Sequence, residues 1–198
     1  NSWIHWDQAQ RDRGSMIREM WMRQTMLAAG QPAAGHGRYV HLYLNGLYWG
    51  VYEMHERQDA NHYAAYFGGE PHQYAATNGL TAVDGHITRP LTPVSKIVDS
   101  GDWERTQEVL DIDNHIRFNI VHQYGGNQDF KPDGNWRAAG GGTANAPWQF
   151  YMWDSERVLE STRVRPTQMT DILGMLRDLN KNEEYRIRYA DTIHEILF

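Results

Sequence analysis

The stretch Arg38–Glu56, RYVHLYLNGLYWGVYEMHE, decides the local fold because it carries a complete β-hairpin pattern. Apolar and aromatic side chains alternate along Val40–Leu44, and a second strand pattern runs along Leu47–Met54. Asn45-Gly46 separates the two segments, and this pair favours the type I′ turn of a two-residue hairpin loop. The sequence therefore predicts an antiparallel hairpin here.

Helical patterns lie on both sides of this hairpin. Ser15 is expected to cap a helix over residues 16–29, which Gly30 and Pro32 would end. Later helices are expected at ANHYAAYFGG (60–69), DWERTQEVL (102–110) and NHIRFNIVHQYGG (114–126), the last with Asp113 as its cap. Towards the end of the chain, one helix would be capped by Thr167 or Thr170, and another would cover NEEYRIRYADTIHEILF (182–198). The buried face of this last helix would carry Tyr185, Tyr189, Ile193 and Ile196. Residues 69–102 are rich in turn formers and are expected to be mostly loop.

A second hairpin is expected near the middle of the chain. The segment NWRAAGGGTANAPWQFYMWDSE (135–156) contains two strand patterns around a Gly-rich loop at 139–147. Helices combined with antiparallel hairpins indicate the α+β class.

Composition excludes several kinds of protein. The chain has 198 residues, of which 40% are hydrophobic and 22% charged, so it is long enough for a substantial core. Its net charge of −6 and lack of a basic run give no reason to expect a nucleic-acid partner or an anionic membrane. No apolar run approaches the length of a membrane span, and no signal peptide is evident. The absence of cysteine excludes disulfides and thiol chemistry.

A polar loop, GGNQDFKPDGNW (125–136), follows the helix that Asp113 is expected to cap. It places Asp129, Lys131 and Asn135 within seven positions. A carboxylate, an ammonium group and an amide so close together suit phosphoryl transfer. They also suit an ordinary polar turn with Asp133-Gly134 at its tip.

The second hairpin would bring further carboxylates to this loop. The WDSE motif at its end contains Asp154 and Glu156. Asn135 and Asp154 would be magnesium ligands, because Mg²⁺ prefers a few hard oxygens together with phosphates and water. Asp129 would then face an acceptor hydroxyl, and Lys131 would offset the charge of the transferred group.

The many aromatic residues, among them 8 Trp and 11 Tyr, leave a carbohydrate-active domain open as an alternative. Asp154 and Glu156 would be its paired carboxylates. Two acids separated by one residue on a single segment do not by themselves flank a glycosidic bond, so this alternative ranks last.

Four separated motifs, in order, closely resemble the spore coat protein H (CotH) kinase family, and in particular the CotH modules of large secreted bacterial proteins. They are YVHLYLNGLYWGVYEMHER, GGNQDFKPDGNW, FYMWDSE and LRDLNKNEEYRIRYADTIHEILF. The resemblance extends from about Ser15 to Phe198. It implies an atypical protein-kinase-like fold. Residues 1–56 would form a partial N-lobe of a helix and an antiparallel hairpin, and residues 57–198 a mostly helical C-lobe.

The resemblance also implies the chemistry: ATP and Mg²⁺ as cofactors, and transfer of the γ-phosphate to Ser or Thr of secreted or surface proteins. By motif, Asp129 matches the catalytic aspartate, Asn135 the loop asparagine and Asp154 the metal-binding aspartate. Glu156 stands where many members have a second Asp and is counted with the metal ligands.

The end of the hairpin matches the connection between lobes, where backbone groups would bind adenine; these residues are Glu53, Met54, His55 and Glu56. Nothing before Ser15 matches the family's upstream strands, and no lysine precedes Lys96. The phosphate-anchoring lysine therefore has no counterpart, and arginines such as Arg11, Arg13 or Arg18 are not equivalent replacements.

Without that lysine, Glu19 of the first helix is expected on a solvated face. Two hypotheses consequently remain open. The chain is either an active CotH-type kinase or a catalytically silent kinase-like module with a structural or interaction role. In both cases it is expected to be part of a larger extracellular polypeptide.

Overall fold

The computed structural model describes residues 14–160 and 171–198. Within these ranges it contains seven α-helices and two antiparallel sheets, which confirms the α+β class. None of the described helices is long and apolar enough to cross a bilayer. The elements, in chain order, are α1 (Arg18–Ala28), β1 (Gly37–Leu44), β2 (Leu47–His55), α2 (Ala60–Phe67), β3 (Ala75–Asn78), β4 (Thr81–Asp84), α3 (Leu91–Asp99), α4 (Trp103–Val109), α5 (Ile112–Gly125), β5 (Trp136–Gly141), β6 (Ala146–Met152), α6 (Met175–Leu179) and α7 (Glu183–Leu197).

The predicted hairpin is confirmed. Strands β1 and β2 are antiparallel, and Leu44 pairs with Leu47 across the two-residue loop. Asn45 and Gly46 have φ angles of 50° and 80°, as a type I′ turn requires. Most side chains of both strands are exposed, including many large apolar ones.

The other four strands form a sheet in the order β4-β3-β5-β6 with a core on each face. On one face, Trp136 and Phe150 belong to the main core with Met22 and Met26 of α1. On the other face, Tyr151 packs in a smaller cluster with residues of α2. Helix α1 thus packs in the main core, while the boundary at residue 56 and the two-lobed kinase-like arrangement stay predictions.

Helix α5 crosses the main core and leads into the polar loop. Its cap is Asp111, whose side chain accepts a hydrogen bond from Asn114 N at 2.9 Å. The prediction that Asp113 is the cap is wrong, because Asp113 lies in the first turn and pairs on the surface with Arg188 at 2.8 Å. Gly126, in the left-handed conformation, ends the helix.

The expectation that residues 69–102 are mostly loop is also wrong, because they form β3, β4 and α3. The strands have only four residues each, and β3 is held in place by pairing with β5 on its other side. Such pairing is a tertiary effect that short Ala-rich segments do not reveal. Helix α3 buries Leu91, Val94 and Val98, at a helical spacing.

The ends of other elements differ modestly from expectation. Ser15 does not cap α1, which begins at Arg18 with Ile17 in the cap position and no side-chain cap bond. Thr167 and Thr170 lie outside the described residues. The expected helices at Ala60–Phe67 and Trp103–Val109 are confirmed, as is the buried face of α7. The strands around the Gly-rich loop extend further than expected, which leaves only residues 142–145 between them.

Candidate active site

The polar loop after α5 holds the backbone of Asp129 from both sides. Asn127 Oδ1 accepts a hydrogen bond from Asp129 N at 2.9 Å, and Asn135 Nδ2 donates to Asp129 O at 2.7 Å. Lys131 Nζ lies 3.5 Å from Asp129 Oδ1. The three residues that sequence placed in this loop are therefore in mutual contact, and the Asp129 carboxylate remains partly exposed.

A buried histidine anchors the loop to α5. Asn127 Nδ2 lies 3.1 Å from His122 Nδ1, and the His122 ring packs between Phe118 and Phe130. Burial lowers the pKa of His122 to about 3, so the ring is neutral at physiological pH. Because Asn127 uses its oxygen for Asp129 N, its NH₂ group faces the ring, and the proton of His122 is therefore on Nε2.

Asp154 and Glu156 follow β6 and share a hydrogen bond between their carboxyl groups. Asp154 is exposed and has a left-handed backbone, with φ of 55°, whereas Glu156 is only 7% exposed. Burial, reinforced by the charge of Asp154, raises the pKa of Glu156 to about 7. Burial also raises the pKa of Asp154. Near neutral pH the pair therefore retains a proton for much of the time.

The carboxyl pair and the polar loop act on each other electrostatically. The charge of Asp129 raises the pKa of Asp154, and the charge of Lys131 lowers it, although both contributions are smaller than that of burial. The structure thus brings together the predicted catalytic pair, Asp129 and Lys131, with the predicted metal ligands Asp154 and Glu156.

Glu19 of α1 joins the same acidic group, and its predicted solvated position is wrong. Its carboxylate accepts a hydrogen bond from Ser155 N, next to Asp154, and another from Arg23 Nη2 at 2.7 Å. The Glu19 side chain is only 12% exposed. The Arg23 side chain is fully buried and places its Nε 3.9 Å from Glu53 Oε1. Glu19 therefore connects α1 to the loop that carries Asp154.

The predicted adenine-binding segment lies beside this network. Glu53 faces Arg23, and burial followed by the charge of Glu19 raises the pKa of Glu53. Met54 is exposed, and His55 packs edge-on against Trp153 with ring centres 5.6 Å apart. Among the described residues β2 has a strand on one side only, so alternate backbone groups of Glu53–His55 face away from β1.

Glu56 differs from the rest of the segment because its groups are used internally. Its N–H donates to His36 O at 2.9 Å, and its carbonyl is 2.9 Å from His55 Nδ1. Its carboxylate accepts hydrogen bonds from His36 N and from the Tyr66 hydroxyl, each at 2.8 Å. The backbone of Glu56 is consequently engaged within the chain.

The side chains of the candidate site supply only part of the oxygen ligands that a Mg²⁺ ion needs. Within residues 14–160 and 171–198, no three His, Asp or Glu side chains form a group that would hold a metal on its own. Asp154 and Glu156 supply two carboxylates, and Asn135 would add an amide oxygen, since its Nδ2 is bonded to Asp129. Two carboxylates suit a Mg²⁺ ion that is completed by substrate phosphates and water rather than a closed protein cage.

Sequence reasoning missed Arg23 and Asn127 and placed Glu19 on a solvated face, whereas it favoured a packing role for His122, as found. The pair Glu19 and Arg23 carries a signal, because it has the i,i+4 spacing that lets side chains on a helix meet. Arg23 also lies beside Met22 in the buried surface of α1. Profiles of known protein families give no match to this chain, and no curated protein is significantly similar to it. The CotH resemblance therefore stays a prediction.

Proposed function

We propose that the chain is a CotH-type atypical kinase module that transfers the γ-phosphate of ATP to Ser or Thr hydroxyls of secreted or surface proteins. The observation that carries this proposal is the meeting of the Asp129 loop with the Asp154–Glu156 pair. A partly exposed carboxylate beside an ammonium group acts electrostatically on a second, metal-suited pair of carboxyl groups, and Gln128 N donates to Arg157 O at 2.9 Å between the two segments. Phosphoryl transfer needs both kinds of group, one to orient the acceptor hydroxyl and one to hold the metal ion.

Each residue has a proposed role. Asp154, Glu156 and Asn135 would hold Mg²⁺, which supplies charge neutralisation to the ATP phosphates when bound. Asp129 orients the acceptor hydroxyl through its partly exposed carboxylate, while Asn127 and Asn135 fix its backbone. Lys131 offsets negative charge at the same place.

The nucleotide base is assigned to the outer edge of β2. Backbone groups along Glu53, Met54 and His55 would hydrogen-bond adenine, as at the connection between kinase lobes. Glu56 contributes no free backbone group, so in this proposal it stabilises the segment through His36 and Tyr66.

A silent module is the second candidate. It is favoured by the donor set, because within the described residues no three His, Asp or Glu side chains form a group that would hold a metal on its own. For either candidate we propose that the chain is part of a larger extracellular polypeptide. The exposed apolar side chains of β1 and β2 support this, since they leave a surface for further structure to cover.

Calorimetry with Mg-ATP tests the function. In the longest polypeptide that contains this chain, Asp154→Ala should abolish Mg²⁺-dependent nucleotide binding, because it removes a metal ligand. Asp129→Asn should leave binding within about twofold but slow transfer to a protein acceptor by roughly a hundredfold or more, because the acceptor-orienting group acts mainly in the transition state.

Asp133→Asn is the matched control, because Asp133 is an exposed acid in the same loop. It should leave both binding and transfer unchanged. Binding that survives in Asp154→Ala would refute the metal assignment. No Mg-ATP binding by the unmodified polypeptide would refute the kinase and support the silent module.

A further inference from the structure

Buried polar atoms without a hydrogen-bond partner collect beside the candidate site. Nine such side-chain atoms occur among the described residues, and five of them belong to one neighbourhood. They are Arg23 Nε and Nη1, Glu53 Oε1, Gln58 Oε1 and Arg137 Nε. Three of the five are guanidinium donors, and the other two are acceptor oxygens, of which Glu53 Oε1 lies 3.9 Å from Arg23 Nε. Native structures leave few buried polar atoms unpaired, so the three donors indicate a missing acceptor.

Two arginines of this neighbourhood share one aromatic ring. The guanidinium carbon of Arg137 lies 3.9 Å from the centre of the Trp153 ring, and that of Arg23 lies 5.7 Å from it. Trp153 directly precedes Asp154 in the chain. The two cations are therefore placed against the segment that carries the metal-suited carboxylates.

Arg137 is the less compensated of the two cations. It is only 4% exposed, and none of the described carboxylates lies within 4 Å of it, whereas Arg23 pairs with Glu19 and Glu53. Its one hydrogen bond, to Gln58 O, is long at 3.5 Å. The charges of Asp59 and Asp84 act on Arg137 from further away, but burial is the larger effect and lowers the pKa of Arg137. Stacking on an indole offsets only part of the cost of burying a guanidinium group.

The backbone of Gly35 packs closely against the same side chains. Gly35 has a φ of 98°, and a Cβ on it would lie 2.0 Å from Gln58 Nε2 and 3.1 Å from Arg23 Nη1. Only a glycine fits there while these side chains keep their positions. The Gln58 amide and Arg23 Nη1 therefore pack against the Gly35 backbone, and no side chain of residue 35 covers Nη1.

We propose that Arg23 and Arg137 form a phosphate-binding subsite beside Trp153. Guanidinium groups suit this ligand because their fixed donors match the several acceptor oxygens of a tetrahedral phosphate. The subsite would hold the phosphate through guanidinium donors, with Arg137 as the main anchor. The phosphate could belong to a nucleotide or be free in solution. Only its assignment to a nucleotide rests on the proposed function.

The experiment titrates the 198-residue chain with pyrophosphate alone, without metal, and separately with Mg-ATP, at constant ionic strength in a calorimeter. The variants are Arg137→Gln and Arg137→Lys, with Arg105→Gln as the control because Arg105 is exposed on α4. Arg137→Gln should weaken pyrophosphate binding by about tenfold or more, since hydrogen bonds to charged groups are among the strong ones. Arg137→Lys should restore part of the loss, and Arg105→Gln should change nothing.

Circular dichroism checks that the variants are folded. If Arg137→Gln fails to fold, the unmodified chain still decides: pyrophosphate should raise its melting temperature, and sodium chloride at the same ionic strength should not. Equal binding by Arg137→Gln and the unmodified chain, or no binding of pyrophosphate at all, overturns the subsite. Pyrophosphate binding without Mg-ATP binding supports the subsite and refutes its nucleotide source, while the kinase is tested separately in the longest polypeptide.

Discussion

The acidic residues around the site occupy different environments. Asp129 is partly exposed and has an ammonium neighbour, whereas Glu156 is buried and bonded to a second carboxyl group. Burial and the charge of Asp154 raise the pKa of Glu156 to about 7, which leaves it partly protonated near neutral pH. Carboxyl groups in such different surroundings can take different chemical roles.

The first prediction concerns Glu156 and pH. Its pKa in the folded protein, about 7, is above the value of 4.5 expected without the fold. The folded state therefore binds this proton more tightly, so the contribution of Glu156 to stability falls between about pH 4.5 and pH 7. Glu156→Gln should raise the free energy of unfolding at pH 8 by on the order of 1–3 kcal/mol. Urea denaturation across this pH range measures it.

The gain from Glu156→Gln should disappear below pH 4.5, where the native carboxyl is protonated in both states. Glu104→Gln, an exposed acid on α4, serves as the control and should show no such pH dependence. If Glu156→Gln stabilised the protein equally at pH 4 and pH 8, the raised pKa of Glu156 would be contradicted.

The second prediction concerns Asn127, which connects His122 to Asp129. Asn127→Ala removes the acceptor for Asp129 N and the donor for His122 Nδ1, so two buried or partly buried groups lose their partner. The free energy of unfolding should fall by about 1–3 kcal/mol, as measured by chemical denaturation. Gln128→Ala, its exposed neighbour, should cost less than about 0.5 kcal/mol. Equal costs for the two variants would mean that the loop is not held through Asn127.

At the scale of elements, the turn between β3 and β4 supports the candidate catalytic loop. Gly79 N donates to Trp136 O at 2.8 Å, and Leu80 N reaches Asp133 O at 3.4 Å. Gly79 has a φ of 57°, and a Cβ on it would lie 2.0 Å from Asp133 O. The β3–β4 hairpin therefore fixes the position of the loop that contains Asp129.

The third prediction compares two glycines in hairpin turns. Gly79→Ala should destabilise the protein by about 2–4 kcal/mol, because it adds a backbone clash to the cost of the left-handed conformation. Gly46→Ala should cost only about 1 kcal/mol, since its φ is 80° but nothing lies within 4 Å of the added carbon. Thermal or chemical unfolding measures both. Similar losses would show that Gly79 does not press on the Asp133 backbone.

The elements differ in how far sequence predicts them. Strands β1 and β2 were predictable because alternation and a two-residue turn are local signals. Strands β3 and β4 were not, because β3 is held by pairing with β5, about 60 positions away, and β4 pairs with β3. The Asn78-Gly79 pair favours a hairpin turn, but the many other turn-forming residues between 69 and 102 made this signal hard to recognise.

At the scale of the whole molecule, sequence identified the residues of the polar loop and the WDSE motif but not the network that joins them. Motif order placed Asp129 and Asp154 on segments that meet. It did not show that Glu19 reaches Ser155, because a helix acid gives no indication of its partner in a distant loop. Arg137 was missed for the same reason, since a single arginine in a strand pattern is usually an exposed residue.

The fourth prediction concerns the exposed faces of β1 and β2. Leu47 and Val51 are 68% and 52% exposed, within a hairpin that presents many apolar side chains. The isolated chain should therefore self-associate, and Leu47→Lys with Val51→Lys should reduce that association. Sedimentation velocity measures the change. Ile187→Lys, an exposed apolar residue on α7, is the control and should have no effect. If the double substitution left self-association unchanged, the association would occur through another surface.

The contact between Glu19 and Ser155 joins positions 136 residues apart. At ribosomal rates of about 5–20 residues per second, the Glu19 carboxylate is synthesised roughly 7–27 s before the Ser155 amide from which it accepts a hydrogen bond. During that interval the nascent segment exposes β1 and β2 without the rest of the site. The acidic centre is thus completed late in translation, and truncated products would lack it altogether.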